Sequence, residues 1–150
     1  MINYIIDGNN LIGKIKLLMN IQRKDKQLSR EKLVFMLDRF FAGKKNKVTL
    51  HFDGYANDPI NSPKMKIVYS ENLSADDRIK NQIEQIKNKK NTTVITSDSN
   101  LAEFSKVCYC KVISSEDFSK MIEKQNQSDD ETSRIEQINN DEFIQLFSSK

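Results

Sequence analysis

Three short apolar runs, each stopping at or just before an aspartate, constrain this chain more than any other feature. Tyr4-Ile5-Ile6 runs into Asp7-Gly8-Asn9-Asn10, Val48-Thr49-Leu50-His51-Phe52 into Asp53-Gly54, and Thr93-Val94-Ile95-Thr96 into Ser97-Asp98. Runs this short read as buried strands of an open α/β sheet. The carboxyl ends of such strands are where the sheet carries its chemistry. Aspartates repeated there predict carboxylates gathered at one rim, a setting that suits a hard divalent cation and phosphate chemistry.

Between the strands lie helical patterns. Residues 9–16 read as a helix, 22–27 as a polar loop, and Ser29 as the N-cap of a helix running to Phe41, with Leu33, Leu37, Phe40 and Phe41 on its buried face. Strands are expected at 3–6, 48–52, 66–69, 92–96 and 107–113, and helices at 75–88 behind Ser74, at 101–105, and from Ser115 through Ile122. Strands alternating with helices imply parallel pairing through right-handed crossovers. The expected fold is a three-layer α/β/α sandwich with a mainly parallel central sheet. Its domain spans 1–124, followed at 125–150 by a polar linker and a short helical segment around Phe143–Phe147.

The length of 150 residues fits one domain with a real core. No apolar stretch is long enough to cross a bilayer and no signal segment precedes the first strand, so a cytoplasmic protein is expected, with no membrane partner. Cys108 and Cys110 are expected to alternate on the last strand as core thiols, and His51 to be a packed strand residue. Net charge is +3, but it divides unevenly. Residues 1–125 carry 22 Lys+Arg against 15 Asp+Glu (+7), and residues 126–150 carry two against six (−4). A basic body around an acidic hole is what a metal-dependent nuclease requires, although basicity alone equally serves solubility.

Asp7 and Asp98 sit just past strand ends and are expected to reach one cation if their strands are neighbours. Ser74-Ala75-Asp76-Asp77 reads as a helix cap with acids in the first turn, which by itself needs no function. Asp76 precedes Ile79 and Ile83 by three and seven residues, so it lies above the sheet-facing stripe and aims at the cleft. Asp77 is rotated toward solvent, suited to a water-mediated ligand. Asn9, Asn10, Asp53, Thr96 and Ser97 are accessory candidates: the amides for a phosphate or metal-bound water or else a helix N-cap, the hydroxyls for orienting Asp98 or else capping the next helix, and Asp53 unless the Gly54-Tyr55 turn directs it elsewhere. Lys44, Lys45, Lys47, Lys64 and Lys66, with the cluster at 87–90, are candidates for phosphate-backbone contacts, although any one such cluster also reads as a solvated face.

Ile5-Ile6-Asp7-Gly8-Asn9-Asn10-Leu11-Ile12, Phe52-Asp53-Gly54, Ser74-Ala75-Asp76-Asp77-Arg78-Ile79 and Val94-Ile95-Thr96-Ser97-Asp98 follow the order seen in NYN-domain proteins of the YacP type, within the PIN-like nuclease group. The resemblance spans most of 2–122. It implies a PIN-like sheet and metal-dependent endoribonuclease activity. Asp7, Asp76 and Asp98, with Asp77, would hold Mg²⁺ or Mn²⁺. A branch of the family cleaves messenger RNA on the ribosome, so the resemblance also implies mRNA and ribosomal partners. Two positions depart from the family pattern: Asn9 stands where an aromatic residue is usual, and Ser99-Asn100 where an arginine is frequent. Two other readings compete, a catalytically inactive RNA- or ribosome-binding module and a metal-dependent phosphatase. The Asp-x-Asp pair that one large phosphatase class uses is absent after the first strand.

Overall fold

The computed structural model describes residues 1–126. Five strands form one sheet: β1 (Asn3–Asp7), β2 (Lys47–Phe52), β3 (Met65–Tyr69), β4 (Thr92–Ile95) and β5 (Lys111–Ile113), in the order β3-β2-β1-β4-β5. Every pairing is parallel, with Asp7 opposite His51 and Ile6 opposite Ile95. The helices are α1 (Gly8–Ile12), α2 (Lys16–Gln22), α3 (Lys26–Phe41), α4 (Ala75–Gln85), α5 (Ser99–Val107) and α6 (115–126). The parallel α/β fold expected from the sequence is the one observed.

β1 is the centre, and its side chains divide the core. Ile6 buries on one face with Leu50, Phe52, Ile95, Leu33, Leu37, Phe41 and Phe118, beneath α1, α2, α3 and α6. Ile5 buries on the other with Val94, Ile79, Ile83 and Leu101, beneath α4 and α5. Successive strand residues point to opposite faces, so a central strand covered on both sides reads as an unbroken apolar run. After β1 the chain builds outward through β2 and β3, then returns to place β4 on β1's other side. That reversal puts a topological switch point between the carboxyl ends of β1 and β4, where open α/β sheets leave a crevice.

Several boundaries differ from expectation, each for a local reason. The helix expected at 9–16 is two helices, because Gly13 closes the first turn back on Asn9 and Ile15 turns extended to bury itself. The helix expected to start at Ser29 starts at Lys26, because the Asp25 carboxylate accepts from Leu28 N–H at 3.0 Å. Ser29 lies inside it, donating to Lys26 O. α4 stops at Gln85, where Ile86 turns extended. The last strand covers only Lys111–Ile113; residues 107–110 finish α5 and reverse direction, with Tyr109 at φ 69°. Cys108 and Cys110 therefore do not alternate on a strand, although both are free thiols. His51 is a buried strand residue as expected. The linker and terminal segment expected at 125–150 fall almost wholly outside the described residues. Among those described, no helix is long and apolar enough to cross a membrane.

Candidate active site at the switch point

The first turn after β1 is built around Gly8. A Cβ there would stand 2.6 Å from His51 O and 2.9 Å from the Phe52 ring, so only glycine lets α1 start against β2. This close approach turns the backbone away while Asp7 stays at the rim. The Thr96 hydroxyl, just past the end of β4 on the other side, donates to Asp7 Oδ2 at 3.0 Å and accepts from Asp98 N–H at 3.1 Å. Asp98 caps α5, its Oδ1 accepting from Leu101 N–H at 2.9 Å.

α4 delivers the third acid. Ser74 caps it, accepting from Asp77 N–H at 3.0 Å, and Asp53 Oδ1 accepts from Ala75 N–H at 3.0 Å and from the Ser70 hydroxyl. Asp53 thus ties the end of β2 to the start of α4. Asn9 Oδ1 in turn accepts from Asp53 N–H at 2.7 Å. Asp76 then enters the crevice from the side. Its Oδ2 pairs with Lys80 at 3.1 Å, one turn on, while its Oδ1 is buried with no hydrogen-bond partner.

Among the described residues four carboxylates, Asp7, Asp53, Asp76 and Asp98, line one cleft of about 240 Å³ together with Asn9 and Asn10, and no basic residue does. Burial pushes the Asp7 carboxyl up to about 6, and the charges of Asp76 and Asp98 add to the shift against the opposing Thr96 hydrogen bond. An orphaned carboxylate oxygen and a carboxyl that resists ionising both signal negative charge gathered without its counter-charge. The oxygen-only donor set suits Mg²⁺ or Mn²⁺. Among the described residues no three acidic, histidine or cysteine side chains are already drawn together as a metal cage. Lys80 holds one Asp76 oxygen aside and the α5 cap holds one of Asp98. Mg²⁺ needs only one or two direct carboxylates and keeps several waters, so the donors fit it.

Other candidates fall elsewhere. Asp77 is exposed and does not line the cleft. Ser97 and Asn10 form a brace: Asn10 Oδ1 accepts from Ser97 N–H and from the Ser115 hydroxyl, and Ser97 donates to Glu116. That contact and the Lys14 ion pair hold the Glu116 carboxyl down at about 2. The lysines lie toward the amino ends of the strands. Lys44 donates to Gln125 and sits over the Phe40 ring, Lys64 donates to Lys44 O, and Lys45 is exposed. Lys47 opens β2, about 16 Å of strand from the acidic rim. Lys47 and Lys66 line a second cavity, with Arg78 of α4. Arg78, Ser70 and Glu116 were not singled out from sequence. Arg78 had a signal, one turn after the Ser74 cap; Ser70 and Glu116 had none, since their partners are distant in the chain.

A model of the family described as YacP-like NYN domain matches residues 4–148. Among solved structures, crystal structures of Rae1 (YacP) from Bacillus subtilis are similar. The W164L mutant has TM-score 0.77 at 20% identity, over 93% of this chain and 85% of that one. A second has TM-score 0.75 at 18% identity, over 99% and 89%. No curated protein matches the sequence significantly.

Proposed function

The chain belongs to the YacP-like NYN domain family, whose fold is PIN-like and nuclease-associated, and from that premise we propose that it is a metal-dependent endoribonuclease. The observation that supports this reading is the cleft at the switch point. Asp7, Asp76 and Asp98 come from three distant segments, line one small hollow, and carry more negative charge than their surroundings neutralise. Asp7, Asp76 and Asp98 would hold Mg²⁺ or Mn²⁺, with Asp77 able to act only through water. When bound, such an ion supplies an acidified water for in-line attack on phosphorus and neutralises charge on the leaving oxygen.

The chain's own groups do the rest. Thr96 orients Asp7 and, through its oxygen, the Asp98 backbone. Asp53 fixes the first turn of α4 and with it Asp76. Asn9 and Asn10 brace the loops around the cleft rather than facing it unpartnered. No side-chain nucleophile is required. Messenger RNA is the proposed substrate class and the ribosome a proposed partner, both from the family resemblance; the basic body supports an RNA substrate. The test is incubation with messenger RNA, with and without ribosomes, in Mn²⁺ or Mg²⁺ and then in chelator. Internal cleavage that chelator stops and Asp98→Asn abolishes is the expected result. Cleavage indifferent to chelator overturns the mechanism.

A further inference from the structure

A second cavity, of about 510 Å³, lies on the sheet face that carries α4. Its floor comes from the polar side of β2 and β3. In Lys47-Val48-Thr49-Leu50-His51-Phe52 the even residues bury in the core and the odd ones face this cavity; Lys66 and Val68 continue it. Its wall is α4, through Arg78, Gln82 and Gln85. Among the described residues three cations line it and no acid does. Lys47 and Lys66 make no ion pair among the described residues, and Arg78 donates only to Ser70 O.

Two acceptors in this lining are buried and unpaired, Asn3 Oδ1 and His51 Nδ1. The tautomer of His51 follows from its neighbours. With Gln82 Nε2 donating to Thr49 Oγ1 at 3.1 Å, its Oε1 faces His51 Nε2, 2.7 Å away, an arrangement in which that nitrogen carries the proton. Nδ1 of the neutral ring is then a lone pair without a donor. Buried acceptors left unmade are costly, and beside a polar hollow they are available to the donors of a ligand. Positive charge stands at both ends, Lys47 at the strand starts and Arg78 beside Ser70 at the strand ends. Cations spread along the length of the groove suit several successive phosphates of a strand.

We propose that this groove is a nucleotide subsite of the RNA strand, with backbone phosphates against Lys47, Lys66 and Arg78 and base N–H donors against His51 Nδ1 and Asn3 Oδ1. It rests on the ribonuclease reading for its choice of polymer. The groove adjoins the acidic cleft, since His51 is the cross-strand partner of Asp7 and α4 walls both.

The test uses the full chain in chelator, so that binding is read without cleavage. A fluorescent single-stranded RNA decamer is titrated by anisotropy between 50 and 200 mM salt, on the order of the range where phosphate contacts dominate. Lys47→Ala with Lys66→Ala is expected to weaken binding at least about tenfold and to flatten the log–log salt slope by about 0.7 per lysine, while Lys32→Ala with Lys106→Ala changes affinity less than about threefold. RNA should also shift the Gln82 side-chain amide in NMR spectra, and AMP alone should not saturate it at millimolar concentration. Unchanged affinity and slope in the groove variant, with its melting temperature unchanged, overturns the proposal. AMP binding as tightly as the decamer overturns the strand assignment in favour of a free nucleotide. Loss of the nuclease reading is separate: it shows as no cleavage by the wild-type chain in Mn²⁺, whatever the binding data.

Discussion

Thr96 and Asp7, 89 residues apart in the chain, are joined by a 3.0 Å hydrogen bond across the switch point, the hydroxyl donating to Oδ2. The same hydroxyl oxygen holds Asp98 N–H. One side chain therefore sets the position of one acid and the backbone of another. Thr96→Val removes the side-chain hydrogen bond that opposes the upward shift of Asp7. The Asp7 carboxyl should then ionise at still higher pH. Mn²⁺ affinity by calorimetry at neutral pH should fall roughly 10-fold, as for other outer partners of metal ligands, and recover partly at alkaline pH.

Asp7 itself should be a stability–function trade. Its folded pKa, about 6, lies above the unfolded value of 3.8, chiefly through burial. A raised carboxyl favours the fold while protonated. Its contribution is full below pH 3.8 and is lost as pH rises through 6. At neutral pH the ionised group costs the metal-free fold at most about 3 kcal/mol. Asp7→Asn should thus melt roughly 5–10 °C higher in chelator, yet lose both cleavage and the rise in melting temperature that Mn²⁺ gives the wild type. A lower melting temperature in chelator would contradict this account.

Asp53 should behave in the opposite way. Its carboxylate takes the Ala75 N–H and the Ser70 hydroxyl, so it is a strut for α4. Asp53→Ala should lower unfolding free energy by about 1–3 kcal/mol in urea titrations, because a helix-terminal amide and a hydroxyl lose their acceptor. Activity should fall with it as Asp76 loses its anchorage, while Mn²⁺ should still stabilise the variant.

Gly8→Ala tests the turn. The added methyl meets a backbone oxygen at 2.6 Å, which cannot yield as a flexible side-chain tip would. A loss of about 1–3 kcal/mol is expected, with cleavage reduced because α1 can no longer start where Asp7 needs it.

Much was legible in the chain itself. Ile5-Ile6 followed by Asp7-Gly8, Val94-Ile95 followed by Thr96-Ser97-Asp98, and the Ser74 cap with Asp76 above Ile79 and Ile83 all rest on local periodicity. A local pattern survives into the fold when nothing distant contradicts it. Boundaries failed where a neighbour outbid the pattern: Asp25 took the cap from Ser29, and residues 107–110 turned because β5 had to meet β4.

By itself, then, the order of residues determined the α/β layering, the sheet-end positions of Asp7 and Asp98 and the family motifs, since strand and helix periods are written in near neighbours. Only the tertiary structure decided that Asp53 is a strut, that Asp77 stays outside the cleft, that Lys80 draws one Asp76 oxygen aside, and that Lys47, Lys66, Arg78 and His51 share a hollow. Those facts depend on strand order and on where α4 crosses the sheet. Contacts between segments dozens of residues apart leave no period in a single sequence.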